Sequence, residues 1–117
     1  MVGRASSRVE LMRGTLDLMI LRTLLPGPSH GHAIAKHIQR TTDDLLQVET
    51  GSLYPALHSL ESQGWLSASW ELSEKGKRAR YYRLTATGRK QLAAEQSKWH
   101  AFVGAMASLL KPTGEEG

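Results

Sequence analysis

The feature that most constrains this chain is a change of hydrophobic period at Gly64. Before it, Leu53, Leu57 and Leu60 stand at i, i+4 and i+7, which lines one face of a helix. After it, Leu66, Ala68, Trp70 and Leu72 alternate with polar residues, which is the pattern of a strand. Gly64 is itself a natural helix terminator. The turn residues Ser73-Glu74-Lys75-Gly76-Lys77 follow, and Arg80 to Thr85 reads as the returning strand of a β-hairpin.

The elements on either side are helical. Thr15 to Leu25 is apolar around most of its circumference, as in a helix buried on several sides. Thr15 is its expected N-cap, Asp17 suits its positive end, and Pro26-Gly27-Pro28 stops it. A second helix is expected from Gly31 to about Thr41, with Ala33, Ile34, His37 and Ile38 inward and Lys36, Gln39 and Arg40 outward; Thr41-Thr42-Asp43-Asp44 breaks it. The third is expected from Gly51 to Gln63, with Pro55 near its start, where a missing N–H matters least. Thr85 or Thr87 caps a last helix that reaches Lys111, about 37 Å long at 1.5 Å per residue.

At 117 residues the chain fits one domain. The expected parts are a basic arm over 1–9, a unit of three helices and a hairpin over 10–86, a long last helix over 87–111 and a tail over 112–117. With no cysteine, disulfide scaffolds, thiol nucleophiles and cysteine-ligated zinc are excluded. No apolar run reaches a membrane span, and MVGRASSRVELMRG lacks a signal peptide's apolar stretch, so a soluble, cytoplasmic protein without a membrane partner is expected.

The formal net charge of +4 is unevenly placed. Residues 31–64 carry −2, while residues 74–83, with Lys75, Lys77, Arg78, Arg80 and Arg83 against Glu74, carry +4. Alone, such a cluster is most simply a solvated turn. Its place in the order helix, helix, helix, hairpin, long helix changes that reading. This is the plan of a winged helix-turn-helix, mainly α with a small β-hairpin, in which the third helix enters the major groove and the hairpin reaches phosphates. Opposite the leucines of helix three lie Ser52, Tyr54, Ala56, His58, Ser59, Ser62 and Gln63, small or polar side chains that allow close approach to DNA. Because the helix pair is net negative, the wing and the N-terminal arm must supply most of the phosphate attraction, with Lys75, Lys77, Arg78 and Arg80 as mobile cations at the wing tip.

The last helix carries Leu92, Gln96, Trp99, Val103, Met106 and Leu110 at alternating spacings of four and three, widened by Phe102 and Leu109. One winged-helix unit has little core to bury this stripe, so a second copy is the expected partner, with the first turns near Leu92 packing on their own domain.

In LDLMILRTLL, GHAIAKHI, GSLYPALHSLESQGWL and RYYRLTATGRKQL, the chain resembles the PadR family of transcriptional regulators, from about Leu11 to Leu110. The last two motifs carry the most weight, because residues, order and spacing all match. The resemblance implies a homodimeric winged-helix regulator, usually a repressor, released from a DNA operator by a small apolar or aromatic effector. It places Gly51, Ser52, Tyr54 and Pro55 at the start of the recognition helix, Tyr82 in the second wing strand, and Thr85 and Gly88 at the entry to the last helix. It puts Trp99 where some relatives present an aromatic residue to the effector. Many relatives have Tyr and Glu after the glycine of helix two, where this chain has His32 and Ala33.

Trp99, Phe102 and Val103 with Leu18 wall either a flat effector cavity in a dimer or a closed seam, and the sequence leaves both open. An enzyme is not expected. His30-Gly31-His32 is not accompanied by metal-ligand spacing or a phosphate loop, so no cofactor or metal is expected either. The alternative function is a winged helix that binds RNA or protein without an effector, although no aromatic strand motif supports RNA stacking.

Overall fold

The computed structural model describes residues 14–112. The expected basic arm, and all of the expected tail except Pro112, lie outside these residues. The elements are α1 (residues 14–23), β1 (Ser29–His30), α2 (Gly31–Thr41), α3 (Thr50–Ser62), β2 (Leu66–Leu72), β3 (Arg78–Leu84) and α4 (Ala86–Leu109). The expected order of helices and hairpin is present, and a short strand precedes α2.

Ile20, Leu21 and Leu24 of the α1 region, Ile34 and Ile38 of α2, and Leu53, Ala56, Leu57 and Leu60 of α3 form one core with Leu66, Tyr82 and Leu92. Three corrections to the sequence reading follow. Gly14 is already helical, so Thr15 is not the cap of α1. His37 is exposed, its ring nitrogen 3.4 Å from the Thr41 hydroxyl, so the buried residues of α2 are Gly31, Ile34 and Ile38. Ala56 is buried rather than on the outer face of α3.

β1 was not foreseen, because two residues cannot display a period. It exists through pairing alone: Ser29 lies opposite Tyr82 and His30 opposite Tyr81, giving an antiparallel sheet in the order β1-β3-β2. His30 also caps α2, its Nδ1 accepting from the Ala33 N–H at 3.2 Å. After α2, Asp43 and Asp44 take left-handed backbone angles, which aspartate tolerates when its side chain is hydrogen-bonded. Here Gln39 Nε2 donates to Asp44 Oδ1 at 2.9 Å.

The end of α3 is a Schellman motif around Gly64 at φ +80: Gly64 N–H donates to the Glu61 carbonyl and Trp65 N–H to the Leu60 carbonyl. The chain then turns into β2, which pairs with β3 from Leu66↔Leu84 to Leu72↔Arg78. Thr85 closes the unit. Its N–H donates to Trp65 O, its hydroxyl donates to Gly64 O at 2.7 Å, and the same hydroxyl accepts from Gly88 N–H at 2.9 Å, capping α4. Thr85, not Thr87, is therefore the cap.

Gly88 is buried, and a Cβ there would lie 2.1 Å from the Trp65 carbonyl oxygen and 2.9 Å from Leu84 Cδ1. Alanine favours a helix interior over glycine by roughly 0.5–1 kcal/mol, but a clash with backbone cannot be relieved by a rotamer change. Gly88→Ala is therefore expected to destabilise the fold by about 1–3 kcal/mol in urea unfolding. An equal or higher stability would show that α4 can move away from the hairpin root at little cost.

Candidate nucleic-acid interface

α3 carries its four buried residues on one side, while Thr50, Gly51, Ser52, Pro55, His58, Ser59, Ser62 and Gln63 are exposed. The N-cap residue Glu49 makes no side-chain cap bond; its carbonyl accepts from the Ser52 and Leu53 N–H groups. Pro55 stands at the sixth residue of the helix, deeper than its expected place near the start. Having no N–H, it cannot bond the carbonyl of Gly51. Near the other end, Gln63 Nε2 donates to both the carbonyl and hydroxyl oxygens of Ser59 at 3.2 Å.

Tyr54 behaves differently from its neighbours. It is 38% exposed, and its ring lies against Gly31 so closely that a Cβ there would come within 2.7 Å of its hydroxyl. The second and third helices thus meet through a tyrosine that needs a glycine opposite it. Part of the ring braces this contact rather than facing outward with Ser52 and His58.

On the hairpin, one face carries Leu66, Ala68, Trp70 and Leu72 of β2 opposite Leu84, Tyr82, Arg80 and Arg78 of β3. Burial follows this face only at its root: Leu66 and Tyr82 are buried, whereas Trp70 is 55% and Leu72 69% exposed. The alternation identified the strand correctly, but the strand extends beyond the helices that could cover its outer half. Burial raises the Tyr82 phenol above the ordinary tyrosine range, an effect that the nearby Arg80 cation opposes.

Arg80 is not the mobile wing-tip cation expected from sequence. It sits within β3, half-buried, and its Nη2 is 2.7 Å from Glu61 Oε2 near the end of α3. On the other face Arg83 pairs with Glu71 at 3.2 Å. Lys75 and Lys77 on the Gly76 turn and Arg78 at the start of β3 are exposed and make no ion pair among the described residues. They are the hairpin cations left to meet an anionic partner, with Glu74 beside them. No local pattern pointed to Glu61, because its partner lies nineteen residues away.

α4 divides in two. Leu92 is buried in the core of its own chain, so it is not available to a dimer seam. Beyond it Gln96 and Met106 are partly exposed, and Trp99, Phe102, Val103, Leu109 and Leu110 are 37–75% exposed. Trp99 and Phe102 lie with ring centroids 5.5 Å apart and form, with Gly14, Thr15, Leu18, Glu95 and Lys98, a groove of about 230 Å³. Leu18, Trp99 and Phe102 thereby line one groove, and Val103 is not part of the lining. The His30 and His32 rings stack at 6.5 Å, but no group of three or more metal-ligating side chains occurs among the described residues. No helix among them is long and apolar enough to cross a membrane.

Comparison with known proteins agrees with this architecture. Residues 20–94 match the model of the transcriptional regulator PadR-like family. A transcriptional regulator of Mycobacterium tuberculosis is 31% identical over 87 residues, covering 74% of this chain and 78% of that protein. The solved structure of a transcriptional regulator from Clostridium thermocellum is 31% identical with a TM-score of 0.78, covering 87% of this chain and 99% of that one. A PadR family transcriptional regulator from Eggerthella lenta is 34% identical with a TM-score of 0.71, covering 92% and 91%. With its winged-helix core and hairpin in place, the chain belongs to the PadR-like family of transcriptional regulators, which are DNA-binding proteins rather than enzymes.

Proposed function

We propose that this regulator is a cytoplasmic homodimer that recognises a double-stranded DNA operator and acts as a repressor released by a small aromatic effector. The observation that carries the DNA reading is the pairing of an exposed, small and hydroxylated α3 face with a hairpin tip whose unpaired cations are Lys75, Lys77 and Arg78. In this reading Gly51, Ser52, Pro55, His58 and Ser59 approach the major groove, with the exposed edge of Tyr54. The wing cations meet phosphates and supply affinity that is independent of sequence.

The dimer reading rests on the outer half of α4. An apolar surface of this extent on a helix that leaves its own core is what a second copy would cover, through Gln96, Trp99, Val103, Met106 and Leu110. The effector reading rests on the groove beside Trp99. Its volume of about 230 Å³ in one chain is below the several hundred Å³ usual for a small-molecule pocket, and a partner helix laid across it would enclose more. Planar apolar ligands would stack on the Trp99 and Phe102 rings. Release from DNA then requires such a ligand to favour a spacing of the two α3 helices that mismatches operator half-sites about 34 Å apart.

Three outcomes are expected. Lys77→Gln with Arg78→Gln weakens binding to all duplexes and reduces the slope of log affinity against log salt by about 2, whereas Ser52→Ala changes the ranking of sites by about 1–3 kcal/mol. A wild-type slope in the wing mutant would remove the division of labour. Met106→Asp with Leu110→Asp yields a monomer in sedimentation velocity, and a persistent dimer would exclude this seam. With Trp99 as the sole tryptophan after Trp65→Phe and Trp70→Phe, its fluorescence is quenched by members of a panel of planar aromatics; absence of quenching by all of them would exclude a site at Trp99.

A further inference from the structure

Trp70 is the largest side chain of the hairpin that its core does not explain. It is 55% exposed, although its face of β2 begins in the buried Leu66. Two guanidinium groups instead lie on its ring, with Arg78 Cζ 5.4 Å and Arg80 Cζ 5.9 Å from the ring centroid. The pairing register explains both contacts. Arg80 lies directly opposite Trp70, and Arg78 is its diagonal neighbour on the same face, opposite Leu72. Two like charges on one indole would ordinarily repel, but the Arg80 charge is offset by Glu61 at 2.7 Å. A continuous line of contacts therefore runs from Glu61 near the end of α3 through Arg80 and Trp70 to Arg78, next to the cationic turn.

We propose that Trp70 is a positioning residue for DNA contact: its indole holds the Arg78 guanidinium in the orientation in which it meets a backbone phosphate of the duplex. This rests on the DNA-binding reading above and names which wing cation is pre-organised and by what. An exposed arginine has several rotatable bonds to immobilise on binding, and stacking on a fixed ring before the encounter reduces that loss. Lys75 and Lys77 have no such platform among the described residues and act as mobile charges. Arg80 is a member of the supporting line and not a phosphate ligand.

Binding of a mixed-sequence duplex, measured by fluorescence anisotropy across a salt series, tests the assignment with full-length protein. Positioning and charge predict different readouts. Trp70→Ala lowers affinity about two- to tenfold at every salt concentration, as expected when a side chain must be ordered on binding, and leaves the salt slope unchanged because the number of displaced counterions is the same. Arg78→Gln lowers affinity and also reduces the slope by about 1. Trp70→Tyr keeps an aromatic face and restores most of the affinity. Circular dichroism melting confirms that all three proteins are folded at the assay temperature. Unchanged affinity in Trp70→Ala, with or without a lower melting temperature, would overturn the proposal, as would a Trp70→Tyr protein no better than Trp70→Ala. Failure of the wild-type protein to bind any duplex would be a different result, removing the DNA-binding reading and this inference with it.

Discussion

The arrangement of the whole molecule depends on a knot of backbone contacts between residues 64 and 88. Thr85 touches both sides of it, donating from its backbone to Trp65 O and from its hydroxyl to Gly64 O, while that hydroxyl also caps α4 through the Gly88 N–H. α3 ends at this point, the hairpin both leaves and returns here, and α4 starts from it. The approach is close enough that residue 88 has no space for a Cβ. The direction in which α4 leaves the domain, and the position of the wing relative to α3, are therefore set by the same few atoms.

From this root the hairpin extends as a lever with two unlike faces. One begins in the core at Leu66 and Tyr82 and ends in solvent at Trp70, Leu72 and Arg78. The other carries Ser69, Glu71 and Arg83, which bond among themselves. Ion pairing assigns two of the three arginines of β3 to internal duties, Arg80 to Glu61 and Arg83 to Glu71. The charge of the wing is thus effectively concentrated at its turn. Pairing Glu61 also removes a carboxylate that would otherwise oppose an anion near the end of α3.

α4 joins this unit to the outside. Its first turns belong to the core through Gly88 and Leu92, and its outer turns extend the molecule to 63 Å in its longest dimension, against 31 and 28 Å in the others. An apolar stripe that continues from core into solvent has a different meaning along its length, even though its spacing never changes. At Leu92 it is packing; from Trp99 onward it is a surface in search of cover.

Much of this was legible in the order of residues. The change of period at Gly64, the proline and glycine breaks and a threonine cap at 85 or 87 are local signals, because turns, caps and amphipathic faces are governed by residues within a few positions of each other. They determined the element order, the winged-helix plan, the position of α2 and the cationic turn. Tertiary structure decided the rest. It buried Ala56, added β1 by pairing it with an edge that only the folded β3 offers, and pressed Tyr54 against Gly31. Above all it separated the wing cations into those already neutralised and those still available. A charge is neutralised by its neighbours in space, and Glu61 becomes the neighbour of Arg80 only when the hairpin folds back against α3.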